Sequence, residues 1–164
     1  MKIDFGRIQD QIIFSSAEAE HLWEIICTYK LSFGAEYLSY KYGWSADFAE
    51  GSITEYKRFA FLALISKSEV TPSLTIDEVW HCHILHTLDY EKFAAACGKK
   101  LHHHPGLPGE QGRWDSQYER TARLYKKLFN NLPPAKYWGG LKRQPKMSDA
   151  LEVFKGRITR AISV

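Results

Sequence analysis

The sequence predicts a mainly α fold: one helical domain over residues 1–164, a bundle of about five to six helices with a buried, histidine-bearing helix near its centre. Three observations carry that expectation. Apolar residues recur at three- and four-residue spacing through most of the chain. Ser/Thr-x-x-Glu signatures stand just before two of those stretches. Clusters of Gly and Pro separate one stretch from the next.

The first fourteen residues are ambiguous, and KIDF or QIIF there could form a short strand. Ser15-x-x-Glu18 reads as a capping box, reinforced by the early acids Glu20 and Glu24, so a helix is expected over 16–31 with Leu22, Ile25, Ile26 and Tyr29 inward. GAEYLSYKYG (34–43) suggests a short helix. Ser45 can cap a longer one over 46–66, with Phe48, Ile53, Tyr56, Phe59, Leu62 and Ile65 as core candidates. Gly51 inside it costs about 1 kcal/mol relative to Ala. Pro72 breaks the pattern. Thr75-x-x-Glu78 reads as a second capping box, opening a continuous helix over 76–97 that stops at Gly98. Residues 99–112 then read as a Gly/Pro-rich loop, 115–130 as a helix, KYWGG as a turn, and Ser148 as the start of a last amphipathic helix bearing Leu151, Phe154, Ile158 and Ile162.

Composition narrows the function classes. Hydrophobic residues make up 45% and aromatics 14%, enough for a packed core and against a disordered chain. The longest apolar run, FAFLALI, is far too short for a membrane span, and MKIDFGRIQD lacks the apolar region of a signal peptide. Cys27, Cys82 and Cys97 form no CxxC pair, which points to a reducing, cytoplasmic setting. Charge is uneven. Residues 1–98 hold 8 Lys/Arg against 14 Asp/Glu, a net −6, and residues 99–164 hold 14 against 5, a net +9. The basic stretch at 123–146 could therefore attract an acidic or phosphate-bearing partner, unless the two halves simply neutralise each other.

The chemistry concentrates elsewhere. Six of seven histidines lie between His81 and His104, in DEVWHCHILHTLDY and LHHHPG. On a continuous helix, Ile76, Val79, Trp80, His83, Thr87, Tyr90 and Ala94 share one side. Asp77, His81, Leu88 and Ala95 make another, and apolar residues occur nearly all round. His81 and His83 point about 200° apart and are not a natural pair. Asp77 and His81, at i and i+4, can meet as two ligands, or the carboxylate can orient the imidazole. His83 with His86 is the alternative helical pair. The loop histidines His102, His103 and His104 are the natural source of the remaining ligands. An imidazole-rich site favours a divalent metal, zinc first. HExxH, GxSxG, phosphate-loop and four-cysteine patterns are absent.

TIDEVWHCHILHTLDYEKFAAACGKKLHHHPG resembles the glycine-rich domain-containing protein-like family, in particular its short bacterial members. The positions that carry the likeness are Asp77, Val79-Trp80-His81, His83, Tyr90, Gly98, His103 and Pro105, with flanking similarity over about 45–138. The resemblance implies His81 and His103 as site residues and implies no biochemical activity. Plant relatives carry glycine-rich tails, and this chain, with 11 glycines, has none.

Three functions are therefore expected in order. The first is a metal-binding helical domain using His81, one or two of His102, His103 and His104, and Asp77, with hydrolysis as a possible activity. Asp77 and Tyr90 are its candidate catalytic groups, and enzyme status stays open. The second is a non-enzymatic interaction module in which the Trp-His residues form a buried polar network. The third is nucleic-acid binding through RLYKKLF and LKRQPK.

Overall fold

A computed structural model describes Ile3, residues 5–104 and residues 111–139, and forms seven α-helices in them. α1 (Ser16–Thr28) starts as its capping box requires: Ser15 accepts the Glu18 N–H, and the Glu18 carboxylate accepts the Ser15 N–H at 2.8 Å. Ala19, Leu22 and Ile26 form its buried stripe. It ends three residues before the expected position, where Lys57 donates to the carbonyls of Cys27 and Tyr29 at 2.9 and 2.6 Å. An ammonium on the last carbonyls satisfies orphan acceptors and suits the negative end of the helix.

α2 (Ala35–Tyr42) closes on Gly43 at φ 69°, a left-handed position that favours glycine. α3 (Ala46–Ile65), capped by Ser45, is the central rod, with ten buried residues that wrap almost fully round its C-terminal half. Gly51 has a packing reason. A Cβ there would overlap the tip of the Tyr137 phenol, which rests on the bare backbone. One acid is buried on this helix. Glu55, 3% exposed, accepts from Arg58 at 2.6 Å, from Tyr125 at 3.0 Å and from the Trp138 indole at 2.8 Å. Three donors on three elements thus share one carboxylate, which ties the later helices to α3.

The expected helix over 76–97 is two helices, α4 (Leu74–Leu85) and α5 (Thr87–Cys97). They part at His86 (φ −83°, ψ 63°), where both the His86 N–H and its ring nitrogen Nδ1 bond to the Cys82 carbonyl, at 3.2 and 2.7 Å. A side chain that competes for a helix carbonyl disturbs the ladder. The assumption of one wheel therefore fails beyond residue 85: Leu88, expected on a largely buried helix, is 65% exposed. The start also differs. Ser73 caps α4 by accepting the Ile76 N–H, and Thr75 lies inside the first turn, so the Thr75–Glu78 capping box does not form.

α6 (Gln111–Phe129) begins four residues before its expected start and buries Leu124, Tyr125, Leu128 and Phe129. KYW is not an open turn but part of a short helix, α7 (Ala135–Trp138), pinned by the Trp138 bond to Glu55. The N-terminal stretch gives a 3-10 turn (Phe5–Ile8), and an isolated antiparallel bridge joins Ile12 to Ser66. There is no strand among the described residues. The helix expected from Ser148 lies outside the described residues. No described helix is long and apolar enough to cross a membrane.

The Ser73 hydroxyl also donates to the Tyr137 carbonyl at 2.6 Å, so it links α4 to α7. Ser73→Ala should cost about 2 kcal/mol, the sum of a lost cap and a stranded acceptor. Thr75→Ala should cost at most about 0.5 kcal/mol. Urea unfolding of the two variants checks the order; equal losses would contradict the assigned cap.

Candidate functional site

α4 presents its buried stripe, Ile76, Val79, Trp80 and His83, to the core. Asp77 in its first turn and His81 one turn later lie on the half-exposed side, at 23% and 44% side-chain exposure. His103 reaches them from the segment after α5. Gly98 at φ 66° turns the chain, and Leu101 is buried. The Trp80 indole N–H donates to the Tyr90 oxygen at 2.9 Å, and the Tyr90 O–H donates to the Leu101 carbonyl. Lys99 adds a bond to the Leu64 carbonyl at 3.3 Å. This relay fixes the backbone two residues before His103.

The resulting geometry is tight. His103 Nε2 lies 3.0 Å from Asp77 Oδ1, and His81 Nδ1 lies 3.7 Å from Asp77 Oδ2. Each carboxylate oxygen therefore faces one imidazole. The two imidazole centroids are 4.6 Å apart, and Trp80 meets His103 edge-on at 4.6 Å. A carboxylate only accepts, so His103 Nε2 carries the hydrogen in this arrangement. Asp77, His81 and His103 each offer one ligand atom, all within 4.8 Å of one another, and they are the group of three or more such residues among the described ones.

His83 belongs to a different environment. It is fully buried, boxed by the rings of Tyr29, Phe33, Tyr56, Tyr90 and Phe93. Its Nδ1 is 2.7 Å from the Tyr56 hydroxyl. Its Nε2 lies 3.4 Å from Asp89 Oδ2 without hydrogen-bond alignment and has no other partner among the described residues. Asp89 can only accept, so the hydrogen of the neutral imidazole belongs on Nε2 facing that charge, and the Tyr56 hydroxyl then donates to the bare Nδ1. Burial pushes Asp89 up, but the Ser32 N–H and the Tyr29 hydroxyl hold it below the usual carboxylate range. His86 spends Nδ1–H on the Cys82 carbonyl. The structure thus does not bring His83 and His86 together on one ion, and leaves His102 and His104 exposed. Tyr90 is committed to its relay.

No known family profile, curated protein or solved structure matches this chain. The partners that sequence reasoning missed are Tyr56, Asp89 and Tyr29 around His83, and Glu55 with its three donors. Glu55 left a trace, because it falls among Ser52, Tyr56 and Phe59 on the apolar stripe of α3. Asp89 left none, since the break at His86 sets its direction.

His83 gives the protein a pH dependence. Burial lowers its pKa from 6.5 to about 4; the Asp89 charge opposes this and His86 adds to it. The facing groups are Tyr56 on α3, Asp89, Tyr90 and His86 around α5, and Tyr29 after α1. The unfolded chain takes up this proton near pH 6.5, but the folded chain does so only near 4. The contribution of His83 is therefore complete above pH 6.5, is lost as pH drops to about 4 and does not change below, roughly 3 kcal/mol at most. Urea midpoints of chelator-treated protein across this window should fall, and His83→Gln should flatten the slope. A wild-type profile with no slope would contradict the buried neutral imidazole.

Proposed function

We propose that this chain is a metal-binding helical domain whose divalent ion is held by Asp77, His81 and His103. The observation that supports it is the convergence of three ligand atoms within 4.8 Å, two from α4 and one from the segment after α5. Two imidazoles and one carboxylate suit zinc, and suit iron(II) as well. The donors fit the group chemically: Asp77 faces both rings, Trp80 closes one side, and the exposed His81 leaves the opposite side open. Asp77, His81 and His103 would hold the ion, which would supply Lewis acidity enough to lower the pKa of a bound water towards about 7. Hydrolysis is the activity this arrangement would support. Tyr90 orients the His103 segment and supplies no proton, because its O–H is already donated to Leu101.

A second reading has its own observation. The Trp80–Tyr90–Leu101 and Tyr56–His83 bonds are buried and hold the helices together whether or not an ion binds. They fit a non-enzymatic interaction module with a structural polar network. Nucleic-acid binding has the exposed Arg123, Lys126 and Lys127 of α6 and no further feature in its favour, and residues 140–146 lie outside the described ones. We also propose membership of the glycine-rich domain-containing protein-like family, on Asp77, Val79-Trp80-His81, His83, Tyr90, Gly98 and His103. A cytoplasmic setting is proposed on the three free thiols.

Untagged protein titrated with zinc should bind one equivalent, by elemental analysis and calorimetry. His81→Ala and His103→Ala should each abolish binding. Asp77→Asn should weaken it by at least about 10–100-fold. His83→Ala should keep the ion but lose about 1–3 kcal/mol of stability. Undiminished binding in both His81→Ala and His103→Ala would overturn the site.

Tyr90→Phe leaves all three ligands in place but removes the anchor of the segment that carries His103. Zinc affinity should fall by about tenfold or more in a protein that still folds. Unchanged affinity would show that the relay does not position the ligand.

A further inference from the structure

The Lys41 ammonium lies 3.4 Å from the Cys82 sulfur, across the interface between α2 and α4. Among the described residues that sulfur is its only hydrogen-bond partner; its other contact is the face of the Tyr42 ring, 5.0 Å from the centroid. No described carboxylate pairs with it. An ammonium is a compact, strongly hydrated charge that ordinarily takes an oxygen partner. Here it is held on a thiol. The Tyr42 oxygen lies 3.4 Å from the same sulfur, and its O–H donates to Glu78 at 2.7 Å. Cys82 is a free thiol with no exposed surface, and Lys41 is an exposed residue of α2.

We propose that Lys41 and Cys82 form a reversible covalent S–O–N bridge under dioxygen. The ammonium first loses one proton to solvent. The net step joins the neutral amine, the thiol and one dioxygen. The S–H bond, one N–H bond and the O–O bond break, while S–O and O–N bonds form. The second oxygen leaves as water with both hydrogens. Sulfur and nitrogen each lose two electrons, and dioxygen accepts four. Burial favours this outcome over the common caps of cysteine, because glutathione or a second protein thiol cannot reach the sulfur, whereas dioxygen is small enough to do so. The bridge would staple α2 to α4, the helix that carries Asp77 and His81. It does not rest on metal binding.

The test is non-reducing intact-mass and peptide analysis of metal-free protein after exposure to dioxygen, beside a dithiothreitol-treated control. The expected product gains one oxygen and loses two hydrogens, yields one peptide pair linking Lys41 to Cys82, and disappears with dithiothreitol. The count of thiols in denaturant should fall by one. Lys41→Arg keeps the charge at an exposed position and should leave Cys82 fully titratable. The proposal is overturned if the mass stays that of the reduced chain, if oxygen adds to Cys82 without linkage to Lys41, or if the same product forms in Lys41→Arg.

Discussion

The hydroxyl of Tyr90 holds two parts of the molecule in register. It accepts from Trp80 on α4 and donates to the Leu101 carbonyl beyond α5, so one oxygen spans the helix that carries two candidate ligands and the segment that carries the third. Both bonds are buried, where an unmade bond costs about 1–3 kcal/mol per stranded group. The indole N–H and the Leu101 carbonyl belong to residues that are 5% and 7% exposed. Their satisfaction depends on the Tyr90 oxygen staying where α5 places it. Phe59 lies beneath, with its ring 5.4 Å from that of Trp80, and couples the arrangement to the central rod.

Two further polar centres sit inside the apolar mass, and each is closed by partners from separate helices. Glu55 collects Arg58, Tyr125 and Trp138. His83 collects Tyr56 on one nitrogen and the field of Asp89 on the other. A hydrophobic core made of Leu and Ile alone tolerates rotated or shifted helices, because dispersion is not directional. Buried hydrogen bonds between helices are directional and penalise such shifts. In this chain they fix how α3, α4, α6 and α7 lie against one another, and so where Asp77 and His81 face.

Local chemistry was the legible part of the sequence. Ser15 and Ser45 cap their helices, Gly98 stops α5, and the stripes of α1, α3 and α6 are buried much as their spacing requires. The placing of Asp77 and His81 on one side of α4, away from His83, was readable for the same reason: both effects act within one or two turns. The break at His86 was not, because nothing in ILHT marks a stop, and the competing ring bond to the Cys82 carbonyl depends on one side-chain rotamer. Thr75 has the Glu three residues on that a capping box needs and Ser73 has Ile76 there, so the pattern points to Thr75, whereas in the structure Ser73 accepts the Ile76 N–H and donates to the distant Tyr137 carbonyl. The burial of Glu55 is traced by its place on the α3 stripe, but its pairing with Trp138, 83 positions on, carries no local signature.

The three converging groups fall within a short stretch of chain, since Asp77 and His103 are 26 positions apart and every bond of the Tyr90 relay lies between them. Closing a loop of that length costs little entropy, and the cost grows only with the logarithm of length. Contacts of low sequence separation also form early in folding. This stretch therefore folds back on itself as two helices and a return segment, and polar bonds tie it outward: Tyr56 of α3 holds His83, the Tyr137 carbonyl of α7 holds Ser73, and Tyr29 with Ser32 hold Asp89.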